Sequence, residues 1–219
     1  MTDTYLLLGI FLGIGVAVLA AWGAYSYFEA KRREAFRQLA LRLGLSFEAA
    51  AKQLPEEEFG PLPLFTRGHS KRAKNVLRGS PSGGPLALFD YQYTTGSGKN
   101  SHTSQHTVTV FRLQDNPLPW FTMAPEDVFH RLGAIFGYHD IDFPHQEEFS
   151  RTYFLRGKDE QAIRAFFQPA IVSALARTKG WVVEGGAQHL LIYRPGKRVA
   201  PDQARRFLDD TGRIAQLFA

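Results

Sequence analysis

Hydrophobic positions divide the chain into two regimes. From Tyr5 to Phe28 the pattern has no polar phase, and 24 residues pass without a charged side chain. A helix over that run rises about 36 Å, enough to cross the roughly 30 Å hydrocarbon core of a bilayer with some tilt. Trp22, Tyr25 and Tyr27 gather at one end, where amphipathic rings prefer the interface, and Glu29, Lys31, Arg32 and Arg33 close the run. Beyond it the spacing turns helical and amphipathic. Ala35, Phe36, Leu39, Ala40 and Leu43 form one stripe, Arg32, Arg33, Arg37 and Arg42 are placed off it, and Gly44 is the C-cap.

Further along, the period changes to two. Leu86 to Thr95 alternates, with Ala87, Phe89, Tyr91 and Tyr93 on one side, and Thr107 to Leu113 is β-branched with Val108 and Val110 sharing a face. The polar link Gly96–Ser101 joins them as a long antiparallel hairpin. Shorter strands are predicted at 75–79, 120–123 and 149–156, and the acidic segment Pro55–Pro63 reads as a loop. Pro125 is placed in the first turn of a helix running to Leu132. Ile163, Phe166, Phe167, Ala170, Ile171, Ala174 and Leu175 keep helical spacing, which Pro169 breaks into a kink or two abutting helices. A second hairpin joins Trp181–Glu184 to His189–Arg194 through Gly185–Gln188, and a last helix runs from Pro201 to near Phe218. Antiparallel hairpins with helices outside them predict an α+β fold behind an N-terminal transmembrane helix. The expected organisation is an anchor with its basic flank over residues 1–33 and one α+β domain over 34–219. If that domain has two lobes, they part near 115–148.

Composition narrows the function classes. There is no cysteine, which excludes disulfide scaffolds, cysteine-bound metal and thiol nucleophiles. The net charge of +5 suits an anionic partner. Met1–Thr4 carries no Lys or Arg while five basic residues follow the apolar run by Arg42, so a retained anchor is favoured over a cleaved signal peptide. The same bias predicts the N-terminus outside and the large domain in the cytoplasm, at a bacterial inner membrane. Gly9, Gly13, Ala17 and Ala21 recur every four residues, the spacing of a helix face on which two anchors could pair as a homodimer.

Candidate chemistry is sparse. Arg67, Lys71, Arg72, Lys74 and Arg78 fall within twelve residues, with no acid between Phe59 and Phe89. They form a candidate surface for anionic phospholipid headgroups. Aromatics are not interleaved with them, so nucleic acid is not the expected partner. Gly96, Gly98 and Lys99 could hold a phosphate on backbone amides and an ammonium. The link is not a P-loop, because Tyr93 stands at the first glycine's place and Asn100 at that of the Ser/Thr. Among the seven histidines the densest polar neighbourhood is His139–Glu148, but no His-x-x-x-His helix spacing fixes ligand directions there. No Gly-x-Ser-x-Gly elbow occurs. No metal, cofactor or catalytic residue is assigned.

Phe65-Thr66-Arg67-Gly68-His69-Ser70, Asn75-Val76-Leu77-Arg78-Gly79, the run from Phe89 to Lys99 and Phe149-Ser150 together resemble a family of uncharacterised bacterial membrane-anchored proteins. The resemblance covers most of the chain after the anchor and implies one recurring architecture, with no activity to carry over. The expected function is a single-pass membrane protein whose cytoplasmic domain binds a protein partner or an anionic lipid surface without catalysis. The alternatives are a membrane-tethered enzyme using the 139–148 or 96–100 region, as a metal-dependent hydrolase or a phosphate-ligand binder, and an assembly subunit.

Overall fold

Helix α1 runs unbroken from Thr2 to Leu43, joining the apolar run to the amphipathic stripe as one element. This computed structural model describes residues 2–80, 84–113, 117–126, 128 and 140–219. In the apolar half of α1, Leu12, Val16, Leu19 and Trp22 all face outward. The other half buries Phe36, Leu39 and Ala40 against the sheet. Each of the two larger side chains contributes about 1.5–3 kcal/mol there. The helix stops at Gly44, whose φ of +66° favours glycine. Leu45 N–H donates to the Ala40 carbonyl at 2.9 Å and Gly44 N–H to that of Leu41 at 3.3 Å, the paired bonds of a Schellman cap.

The rest is α+β. Eight antiparallel strands form one sheet in the order β1-β2-β3-β4-β8-β7-β5-β6. They are β1 (Ser46–Ala50), β2 (His69–Gly79), β3 (Leu86–Thr95), β4 (His102–Arg112), β5 (Leu118–Pro125), β6 (Tyr153–Gly157), β7 (Val182–Ala187) and β8 (His189–Tyr193). Strands from both sides of 115–148 belong to this one sheet. The central hairpin pairs β3 with β4 in unbroken register from Leu86↔Phe111 to Thr95↔His102.

Alternation sends Ala87, Phe89, Tyr91, Tyr93, Val108 and Val110 to one face, as their spacing predicts, while Leu86 and Leu88 go to the other. The face bearing Leu86 and Leu88 packs the end of α1 and four further helices: α3 (Glu147–Thr152), α4 (Glu160–Phe166), α5 (Pro169–Ala176) and α6 (Ala204–Ala215). The aromatic face is covered by α2 (Pro55–Phe59) and the turns after it, through Phe59, Leu62, Leu64 and Phe65.

Several elements depart from the sequence reading. Pro55–Phe59 is a short helix, with Pro55 at its first turn and Glu56–Glu58 following. Residues 149–156 are not one strand: α3 occupies Glu147–Thr152 and β6 begins at Tyr153. The acidic pair Glu147 and Glu148 suits a helix N-terminus. Pro125 is the last residue of β5, and a helix opens directly after it, with Glu126 and Val128 helical; the rest of the helix proposed to Leu132 lies outside the described residues. Pro169 does separate two helices, α4 and α5. In the second hairpin the turn falls at Ala187–Gln188, because β7 passes through Gly185 and Gly186. The Phe121 ring lies over Gly185 and the Trp120 ring over Gly186, and a Cβ at either would run into them. These glycines serve close ring approach instead of a turn.

Candidate functional site

Asp90 is the residue on which α1 is mounted. It lies in mid-β3, in phase with Leu86 and Leu88, so its carboxylate points out of the sheet toward α1. Arg32 meets it as a fork, with Nε–Oδ2 and Nη2–Oδ1 both at 2.7 Å. Asn75 Nδ2 donates to Oδ2 at 2.9 Å and Thr107 Oγ1 to Oδ1 at 2.8 Å. Arg198 bridges Asp90 at 3.3 Å and Glu29 at 2.7 Å, and the third nitrogen of Arg32 reaches the Val199 carbonyl at 2.7 Å. Burial works to raise the Asp90 carboxyl, and the Arg32 bond overcomes it, leaving the group below the usual carboxylate range. Arg32 is therefore not off the buried stripe. It stands one turn before Phe36, with its guanidinium 4.7 Å from that ring.

This mounting sets the height of the β3–β4 hairpin along α1. Tyr25 and Glu29 share a narrow cleft with Gln92 and Gln105, so helix and hairpin rise side by side. From Asp90, level with Arg32, β3 continues to Thr95, a further rise of about 16 Å. The helix covers that distance in about eleven residues, bringing the hairpin tip level with Trp22. Tip and aromatic cluster stand at the same end of the molecule.

The predicted cations do not form one patch. Lys71 pairs with Glu56 at 2.7 Å and Arg78 with Glu58 through a double contact, both on the α2 side. The acids of the supposed loop 55–63 thus fold back over the bases. Arg72 and Lys74 line the cleft beside α1, with Arg72 exposed. Arg67 turns inward, toward Tyr93 and Glu184. Gly96 and Gly98 have φ of +74° and +55° and shape the tip, where Lys99 is exposed. Asn100 N–H and Ser101 N–H are used inside this turn, donating to the Ser97 and Gly98 carbonyls at 3.1 and 3.3 Å.

The small-residue stripe stays uncovered at Gly13, Ala17 and Ala21, while the surroundings of Gly9 lie outside the described residues. In the 139–148 region His139 also lies outside them, Asp140 accepts a bond from Leu155 N–H at 2.9 Å, and Glu147 pairs with Arg151 at 2.9 Å. Among the described residues no three His, Asp or Glu side chains gather where one ion could reach them.

A polar group missed by the sequence reading lies under the aromatic face. Glu184 is fully buried, accepting from Leu64 N–H at 2.8 Å and Tyr193 Oη–H at 3.0 Å. Burial raises its carboxyl, against the pull of Arg67. Beside it His106 is stacked on Tyr93 at 5.9 Å and set edge-on to Tyr193 at 5.3 Å. Burial takes the imidazole down to about 4. The signal for His106 was its phase: it shares a face with Val108 and Val110. Next to these groups, at the tip end of the aromatic face, a pocket of about 820 Å³ opens.

A solved structure similar to this one in fold is that of the mycobacterial trehalose monomycolate transport factor A, TtfA. The TM-score is 0.54 at 12% identity, over 87% of this chain and 96% of that one. At that identity the likeness shows the fold alone. No family model matches the chain, and no curated protein does either.

Proposed function

We propose that the chain is a single-pass membrane protein whose cytoplasmic α+β domain engages an anionic lipid surface without catalysis. The observation that carries this is the Asp90 mounting. It makes α1 and the sheet one body and sets the hairpin tip, with Lys99, level with the aromatic cluster that would sit at the bilayer interface. Exposed Arg72, paired across the sheet with Gln92, lies between the mounting and the tip. Each cation near an anionic leaflet contributes about 1 kcal/mol. Similarity of fold to a trehalose monomycolate transport factor supports a place beside lipid.

The test uses the full chain in nanodiscs. Since the chain has no cysteine, Ser97→Cys takes a single polarity-sensitive fluorophore at the tip. Phosphatidylglycerol-containing discs should shift its emission to the blue relative to phosphatidylcholine discs. High salt or Lys99→Glu should reverse the shift. Equal emission in both lipids would overturn the proposal.

A further inference from the structure

The pocket at the tip end of the aromatic face is built from donors. Arg67, Arg194 and Lys197 line it together with Tyr93, Ser104 and His106, and no Asp or Glu is among its described lining residues. Two of its polar groups are short of partners. His106 is 4% exposed, Gly196 N–H donates to its Nδ1 at 2.9 Å, and Nε2 makes no hydrogen bond, the Arg194 carbonyl being the backbone group that acts on the ring. Arg67 Nε–H likewise makes no hydrogen bond. A buried donor left without an acceptor costs about 1–3 kcal/mol, so two beside one cavity mark a place where an acceptor binds. Lys197 is exposed at the rim, and the Arg194 guanidinium lies over the Trp181 ring at 4.4 Å. The volume, about 820 Å³, is that of a small-molecule site.

We infer that this pocket binds a phosphate ester, the charged headgroup of an anionic lipid, with Arg67, His106 and Lys197 supplying the donors. Charge chooses the ligand class. Three permanent cations, of which Arg67 alone faces an acid, the buried Glu184, together with a neutral imidazole donor leave an excess of positive charge that suits a compact anion with several acceptor oxygens. Position chooses the source. Thr95 and His102 of the hairpin tip form part of the wall, so the opening lies at the end that meets the leaflet in the reading above. The lipid source rests on that reading; the phosphate chemistry does not.

The experiment titrates the full chain in phosphatidylcholine nanodiscs, with its histidines labelled by 15N. The probes are dihexanoyl phosphatidic acid, glycerol 3-phosphate and, as control, dihexanoyl phosphatidylcholine. The His106 Nε2–H signal, assigned with His106→Gln, should move downfield with the short anionic lipid and not with the control. Lys197→Gln should weaken the apparent affinity about tenfold, as expected for one charge-assisted contact. Lys197 lies in an exposed turn, so this variant keeps the buried Glu184 partnered, which Arg67→Gln does not. Lys99→Gln, outside the pocket, should leave the titration unchanged while weakening the tip's response to phosphatidylglycerol. Response to glycerol 3-phosphate alone would overturn the lipid source and keep the phosphate site. No movement with either phosphate, or equal movement in the Lys197→Gln protein, would overturn the site. Loss of the tip's fluorescence response with the titration intact would count against surface docking only.

Discussion

His106 and Asp90 are titratable groups in one hairpin whose environments act in different pH windows. His106 is held down to about 4 by burial, with Arg67 adding to the effect and the Arg194 carbonyl opposing it; the phenols of Tyr93 and Tyr193 face it from β3 and β8. A base depressed from about 6.5 gives its stabilisation in full above that pH and loses it as the pH falls toward 4, because the unfolded chain takes up a proton the folded imidazole refuses. The loss is on the order of 3 kcal/mol. The thermal midpoint of the full chain in nanodiscs should fall across that window, and His106→Gln should flatten part of the fall. His189, also lowered by burial, adds to the fall, while Glu184 and Asp140, raised by burial, oppose it. An identical slope in parent and variant would reject the assignment. Asp90, already below the usual carboxylate range, stabilises the fold above that range and loses this only at lower pH, as its folded pKa is passed. Neither residue stood out in the sequence. One polar letter per strand is ordinary, and only the period of two shows His106 in phase with valines and Asp90 in phase with leucines.

Among the elements, the long ones were legible and the short ones were not. The β3–β4 hairpin, the apolar run and the Pro169 break follow from periods that repeat over many residues. Residues 147–157 pass from helix to strand within eleven positions, too few for either period to declare itself. Gly185 and Gly186 misled because glycine suits a turn and a ring contact equally, and the ring comes from β5, far away in sequence. Basic residues 67–78 looked like one patch for the same reason. Their partners, Glu56, Glu58 and Glu184, arrive from other elements. The mounting of α1 has the clearest consequence at this scale. Asp90→Asn leaves Arg32 and Arg198 facing a neutral amide, a change costing about 3 kcal/mol when one partner of a buried pair is lost. Hydrogen exchange in nanodiscs should quicken over residues 29–36, while amides shielded by lipid upstream of Tyr25 keep their rates. Unchanged exchange at 29–36 would mean that Phe36, Leu39 and Ala40 hold the helix without the ion network.

At the scale of the whole molecule, the apolar run and the domain are joined through a single continuous helix. Continuity of α1 from Thr2 to Leu43 means that no hinge intervenes between the apolar run and the sheet. Lys31, Arg32, Arg33, Arg37 and Arg42 all follow that run, which argues for a domain on the cytoplasmic side. Two single-cysteine proteins test it against a cysteine-free background. With a membrane-impermeant maleimide on intact spheroplasts, Thr4→Cys should label and Ser97→Cys should label only after permeabilisation. The reverse pattern would set the tip against the opposite leaflet. The surface charge that attracts basic segments belongs to the cytoplasmic leaflet, so Lys99 and the donors of the Arg67–His106 pocket would then face a headgroup layer that the proposed chemistry does not match.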